Sequence, residues 1–247
     1  MYVLAPAVAM ICALLSFAVI AFAPRVAVAD LNVGLLFFLG MSSLSVWAIV
    51  LAGWASNNKY ALMGGLRAAA QMLSYEVFMG LSLMGVVALA GSFSLGKIVE
   101  AQRHMWFCGP QLLGLVVFFI AGLAETRRIP FDLPEAENEL VAGHHTEYSG
   151  MKFAMFFLGE YVGITLIAAL IAALFLGGWN GWPVLPPLVW FWGKTLVVIG
   201  AFILVRGTLP RLRYDQLMGY GWKVMLPLAL VNLAVTGGAI LAGRGGR

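Results

Sequence analysis

The sequence predicts an all-α protein that crosses the membrane several times, and three observations support this fold class. First, 62% of its 247 residues are hydrophobic, 11% are charged and the mean hydropathy is +0.94, whereas about 25% of the residues in soluble domains are charged. Second, the apolar stretches are continuous and about 20 residues long, the length at which an α-helix crosses the hydrocarbon of a bilayer. Third, the alternating segments of about 10 residues that mark a membrane β-barrel are missing.

Seven spans are expected in a single membrane domain, residues 1–247. The first ends at Pro24 and Arg25, where a helix breaker and a charge coincide. The fourth is short and runs into a cytoplasmic acidic loop, which separates it from the fifth. The expected spans cover about residues 2–23, 31–54, 67–91, 110–124, 153–178, 188–207 and 224–243.

The distribution of basic residues predicts the orientation of the spans. Alternate loops lie on opposite sides of the membrane, and the side that holds the acidic loop carries the larger share of Lys and Arg. This side is therefore expected to be cytoplasmic, with the N-terminus inside and the C-terminus outside. The start of the chain has no basic segment of the kind that opens a signal peptide, so none is expected.

Composition also argues against several classes of function. The net charge of +4 is small and dispersed, so nucleic acid is not an expected partner. Cys12 and Cys108 form no CxxC pair, and no disulfide, zinc or iron-sulfur site is expected. His144 and His145 are adjacent and would point apart on a helix, so no metal site is predicted. Motifs for phosphate binding or nucleophilic catalysis are lacking, and no catalytic residue is assigned to this chain acting alone.

The acidic loop is the most unusual stretch of the sequence. The 29 residues Ala124–Lys152 hold six of the eleven acidic residues, and Asp132 and Pro134 resemble a helix start whose helix would end at Gly143. In this helix Glu135 and Glu139 would share one face and repel. Two interpretations remain open: a coupled set of carboxylates that titrates near neutral pH, or a solvated loop that balances nearby basic residues.

Glu76 and Glu160 differ from the loop acids because each lies well inside an apolar span. An ionised acid in mid-bilayer costs about 2.5 to 3.5 kcal/mol or more, so both side chains should face the interior of the bundle. They could belong to a proton or ion pathway, or they could hydrogen-bond neighbouring helices. Arg206, Arg211 and Arg213 could bind the acids of the loop or could merely enforce the topology.

Three segments of the chain resemble a known family. AETRRIPFDLPEAENELVAGHHTEYSGMKFAMFFLGEY (Ala124–Tyr161), LRAAAQMLSYEV (Leu66–Val77) and RGTLPRLRYDQLMGYGWKVMLPLAL (Arg206–Leu230) are similar to the NuoH-type membrane subunit at the quinone site of respiratory complex I. The resemblance implies a helical subunit that forms the floor and entrance of the quinone chamber and has no redox centre.

The resemblance also implies roles for particular residues, always within an assembled NADH:quinone oxidoreductase that couples quinone reduction to proton translocation. It assigns Arg67, Arg128, Phe131, Asp132 and Arg206 to the quinone chamber. It assigns Glu76, Glu125, Glu135, Glu137, Glu139, Glu147 and Glu160 to a proton path.

The implied partners are the lipid bilayer, quinone as substrate and the other complex I subunits. Those subunits are the peripheral quinone-site and iron-sulfur subunits and the small membrane subunits. NADH, FMN and the iron-sulfur clusters would belong to partner subunits, and this chain would bind no cofactor alone. The implied location is the bacterial plasma membrane, with the mitochondrial inner membrane as the alternative.

One departure and two competing functions accompany this resemblance. Typical family members begin with a further span and a charged loop, so the resemblance implies that this N-terminus is truncated or misassigned, and an eighth span would put both termini outside. A homologous subunit of a membrane-bound hydrogenase would share the same ancestry without a quinone reaction. A free-standing proton-coupled transporter would be a protein of another class.

Overall fold

The computed structural model describes residues 1–24, 26–132, 143–181 and 185–245. This part of the chain is predominantly helical, which confirms the predicted fold class. Its elements are α1 (Leu4–Phe17), β1 (Ala21–Ala23), β2 (Val26–Ala27), α2 (Gly34–Ala55), α3 (Lys59–Ala90), α4 (Leu95–Ala101), α5 (Leu112–Glu125), a 3-10 turn (Gly143–His145), α6 (Gly150–Leu174), α7 (Pro187–Thr208), α8 (Tyr214–Tyr220), a π-helical turn (Gly221–Met225) and α9 (Leu226–Gly245).

Five segments of the described chain are long and apolar enough to cross a membrane: α2, α3, α6, α7 and the continuous stretch Tyr214–Gly243. Helices α1 and α5 are apolar but shorter. These segments correspond in order to the seven expected spans, although several begin or end at different residues.

The observed bounds follow from local capping and pairing. Helix α3 begins at Lys59, eight residues before the expected start, because the Asn58 side chain accepts a hydrogen bond from the Tyr60 backbone N–H at 3.0 Å and caps the helix. Helix α1 ends at Phe17, because the chain beyond it forms the antiparallel pair of β1 and β2. The helix predicted between Asp132 and Gly143, with Glu135, Glu137 and Glu139, lies outside the described residues.

The last span contains a change of helical register. Between α8 and α9 the chain makes a π-helical turn, in which the Leu226 N–H donates to the Gly221 carbonyl. Pro227 follows directly, and a proline cannot donate to the carbonyl four residues earlier, which here belongs to Lys223. The wider turn accommodates the proline ring without ending the helix. The span consequently starts at Tyr214, ten residues earlier than expected.

Helix α3 is the centre of the bundle. It packs against α2, α5 and α9, while α1 lies against α2 and α6, and α6 also packs against α7. The 3-10 turn contacts the first part of α3 and the last part of α2. We call this end of the bundle, with Glu125–Asp132 and Gly143–His145, the acidic end. The opposite end carries the β-hairpin, α4 and the connection from α6 to α7.

Candidate functional site

Two acids meet at hydroxyl groups of α2 near the acidic end. Glu125, the last residue of α5, and Glu76, in the middle of α3, both contact Ser42. The Ser42 Oγ lies 3.0 Å from Glu125 Oε1 and 3.4 Å from Glu76 Oε1. The neighbouring Ser43 Oγ donates to Glu76 Oε1 at 2.5 Å. Three helices thus converge on one chain of polar groups inside an otherwise apolar bundle.

A third acid, Glu160, is neutralised by an arginine. Arg128 Nε lies 2.7 Å from Glu160 Oε1, and the two side chains are 13% and 5% exposed. The Arg128 guanidinium also lies over the Tyr161 ring, 4.6 Å from its centroid. Burial of an ion pair costs desolvation energy that good geometry only partly offsets. The pair connects the predicted loop segment to a span, as expected if Glu160 faces the bundle.

Arg127 points toward the histidines of the 3-10 turn. Its Nη1 lies 3.1 Å from Nε2 of the fully buried His144. Burial, with smaller effects from His145 and Arg127, holds the pKa of His144 well below its usual 6.5. His144 is therefore neutral at physiological pH, and its Nε2 can accept the hydrogen bond from Arg127. Arg127 has φ +52, a conformation that is uncommon for a residue other than glycine.

The prediction that His144 and His145 point apart is wrong. Their ring centroids lie 3.8 Å apart with an interplanar angle of 39°. The difference comes from packing rather than from the backbone, because a 3-10 turn spaces successive side chains about 120° apart. Both rings pack edge-on against Phe156, at centroid distances of 5.6 Å for His144 and 5.2 Å for His145. Within the described chain, the structure brings no group of three His, Cys, Asp or Glu residues close enough together to hold a metal ion.

Gln71 holds the end of α5 and the loop after it in place. Its Nε2 donates to the carbonyls of Ala124 at 2.8 Å and Phe131 at 2.9 Å. Gln71 is fully buried and Phe131 is 5% exposed, with its ring 5.8 Å from that of Tyr75. One side chain of α3 therefore sets the distance between the end of α5 and the predicted chamber residue Phe131.

A cleft opens between α1, α2 and α6 and reaches α5. Its empty space amounts to about 690 Å³ when the open solvent at its mouth is counted. Most of its lining is apolar, from residues such as Phe38, Met72 and Leu166. Its polar lining residues are Ser16, Ser42, Ser45, Glu125, Thr126, Arg127 and Glu160. This arrangement suits a molecule with an apolar body and a small polar head. Glu125 and Glu160 border the same space.

The remaining predicted site residues lie farther apart. Arg211 Nη2 approaches Asp132 Oδ2 at 4.0 Å, a loose ion pair. Arg67 lies over the Tyr214 ring at 5.7 Å, and Arg206 is exposed. Glu147 is also exposed, and its carboxylate accepts a hydrogen bond from Asn58 Nδ2 at 2.9 Å. Its carbonyl oxygen accepts a further bond from the Tyr2 hydroxyl.

Sequence reasoning missed Ser42, Ser43 and Gln71. Their signal is weak, because isolated polar uncharged residues are ordinary in membrane helices. It also missed Lys194, whose signal is strong: a charged residue inside an apolar span. At the opposite end, Lys194 Nζ donates to the carbonyls of Leu176, Gly178 and Asn180 at 2.6 to 2.9 Å, and it lies 4.4 Å from the Trp106 ring centroid.

Comparison with known proteins establishes the family. A family model described as NADH dehydrogenase matches residues 1–237. The chain belongs to this family. The H subunit of the NADH-quinone oxidoreductase of Methylococcus capsulatus is 62% identical over 236 residues, which cover 96% of this chain and 75% of that protein. Both findings confirm the predicted resemblance and make this NADH dehydrogenase family member a NuoH-type, multi-pass membrane subunit of complex I.

Proposed function

We propose that this subunit forms part of the quinone chamber of its complex and transmits the protonation changes of quinone reduction into the membrane. The observation that carries the proposal is the shared cleft. Glu160, which pairs with Arg128, and Glu125 and Ser42, which contact Glu76 through the Ser42 hydroxyl, border one mostly apolar space. An apolar body and a small polar head are the features of a quinone with its tail.

Quinone reduction would change the charge next to these acids. Reduction adds negative charge to the head group and consumes protons. A neighbouring cation is drawn toward this charge, and a neighbouring carboxylate is favoured to bind a proton, because a nearby negative charge disfavours its ionised form. Glu160 and Arg128 form such a carboxylate and cation, with little water around them to screen the effect. A change in charge at the cleft therefore alters the strength of the Glu160–Arg128 ion pair and the protonation of Glu125.

The path from the cleft leads away from the loop into the bundle. Glu125 lies at the end of α5, and Glu76 lies in the middle of α3, so a proton that passes between them moves from the cleft toward the centre of a span. Partner subunits would receive it there. Glu135, Glu137, Glu139 and Glu147, together with Arg67, Phe131, Asp132 and Arg206, remain part of the proposed chamber and path. We place the complex in a bacterial plasma membrane, with the peripheral subunits and their NADH, FMN and iron-sulfur clusters over the acidic end.

The decisive variant is Glu160→Gln in the assembled complex. We expect protons translocated per NADH oxidised to fall by at least half, because the glutamine can neither bind nor release a proton and leaves Arg128 with an uncompensated charge. Glu100→Gln is the matched control, since Glu100 is an exposed acid on α4 at the opposite end. Unchanged turnover and pumping in Glu160→Gln, in complex assembled at wild-type amount, would remove Glu160 from the mechanism.

A further inference from the structure

Ser42 is a buried hydroxyl that contacts two acids of different helices. It is 7% exposed, and its Oγ is within hydrogen-bonding distance of both Glu125 Oε1 and Glu76 Oε1. Its backbone carbonyl is used separately, because it accepts a bond from the Ser45 hydroxyl at 2.7 Å. The Ser42 Oγ is therefore positioned between α5 and α3 by the packing of α2.

A hydroxyl group carries one proton and two lone pairs. Ser42 can therefore donate to one of the two carboxylates at a time, and its contact with the other is a hydrogen bond only when that acid is protonated and donates to Ser42. The geometry consequently fits a pair of acids that hold one proton between them. With both acids ionised, one contact would be a repulsion between lone pairs in a poorly solvated place.

The surroundings of the two acids indicate which of them holds the shared proton at rest. Glu76 Oε1 also accepts from Ser43 Oγ at 2.5 Å, which stabilises negative charge on Glu76. Glu125 Oε2 is shielded from solvent and has no hydrogen-bond partner within the described part of the chain, which disfavours negative charge on Glu125. At rest, protonated Glu125 donates a hydrogen bond to Ser42 Oγ, and the Ser42 hydroxyl donates one to Glu76 Oε1.

We infer that Ser42 is the proton-relay residue between Glu125 and Glu76, an inference that rests on the proposed function. In the transfer, the O–H bond of Glu125 breaks as its proton binds Ser42 Oγ, and the original Ser42 O–H bond breaks as that proton binds Glu76. Ser42 ends with one proton, as it began, and the negative charge has moved from Glu76 to Glu125. No oxidant, reductant or further group takes part.

The test compares Ser42 variants in the assembled complex, reconstituted in vesicles, with NADH oxidation and proton uptake measured together. We expect Ser42→Ala to lower protons per NADH at least twofold and Ser42→Thr, which keeps the hydroxyl, to restore the ratio. The matched control is Ser74→Ala on α3, because Ser74 is also buried and its hydroxyl bonds only the Ala70 carbonyl of its own helix in the described structure. Should Ser42→Ala fail to assemble, Ser42→Cys, with a weak donor of similar size, is expected to give a ratio between wild type and half.

Two further variants separate the relay from simpler explanations. Ser43→Ala removes a donor to Glu76 but leaves the Ser42 bridge, so it should lower the ratio less than Ser42→Ala does. A loss equal to that of Ser42→Ala, or no rescue by threonine, would overturn the relay in favour of mere anchoring of Glu76. Glu76→Gln tests the path itself. A wild-type ratio in Glu76→Gln would refute the proposed path, whereas a low ratio there with a normal ratio in Ser42→Ala would refute the relay alone.

Discussion

Gly64 on α3 lies so close to Gly143 that a Cβ at position 64 would be 2.7 Å from the Gly143 Cα and 3.1 Å from the His144 nitrogen. The contact seats the 3-10 turn directly on the central helix. Because both neighbours are backbone atoms, a side chain at position 64 cannot be accommodated by a rotamer change.

We therefore expect Gly64→Ala to displace the 3-10 turn and to lower the free energy of unfolding by about 1–3 kcal/mol, the usual cost of overpacking. Thermal unfolding in detergent measures the loss, and protease sensitivity of the acidic end locates it. Gly80→Ala on the same helix is the control, since a Cβ there meets nothing within 4 Å and should be neutral or stabilising. Equal stability of the two variants would contradict the close contact between Gly64 and the 3-10 turn.

Because Glu160 and Arg128 form an ion pair, we expect substitutions of the two residues to have strongly non-additive effects on the free energy of unfolding. Arg128→Gln removes the arginine of a buried ion pair, and breaking such a pair from one side costs about 3–5 kcal/mol. Adding Glu160→Gln removes the buried negative charge, so the double variant should be more stable than Arg128→Gln alone, with a coupling energy of about 0.5–3 kcal/mol. Unfolding of the single and double variants completes the cycle; purely additive losses would mean that the contact contributes little.

His144 gives the acidic end a pH dependence. Its pKa is lowered in the folded protein from 6.5, so below pH 6.5 the unfolded chain binds a proton that the folded chain does not. Stability is thus present above pH 6.5 and is lost as the pH falls, with a slope approaching about 1.4 kcal/mol per pH unit. His144→Gln should reduce this slope between pH 7 and 5, measured by denaturant unfolding. His104→Gln, at an exposed position, should leave it unchanged, and an unaltered slope in His144→Gln would contradict the assignment.

Lys194 stabilises the opposite end. Lys194→Met keeps the length of the side chain but leaves three carbonyls without their cation, and we expect a loss of about 1–3 kcal/mol for these buried acceptors. The unfolding temperature in detergent should fall accordingly. Leu196→Met on the same helix is the control, because Leu196 is 63% exposed. Equal melting of the two variants would show that water replaces the ammonium at no cost.

The sequence predicted the elements that depend on long apolar runs, and it predicted that Glu160 faces the bundle, as its contact with Arg128 confirms. It did not predict the β1–β2 hairpin, whose strands have only three and two residues and so give no period-2 signal. The role of Ser42 was equally hidden, because it depends on which residues of α3 and α5 face α2. That information is in the packing of the three helices and not in the spacing along any one of them.

The length of α3 has a consequence for how the acidic end meets the membrane. Its 32 residues extend about 48 Å at 1.5 Å per residue, whereas the hydrocarbon of a bilayer is about 30 Å thick. Tilt or projection must absorb a difference of roughly 18 Å. The first turns of α3, which contact Gly143 and His144, therefore extend beyond the hydrocarbon and hold the acidic end at the water boundary. Glu76, near the midpoint of the same helix, remains inside the membrane. A single helix thus connects the water boundary to the membrane interior, and its length sets the distance between the acidic end and Glu76.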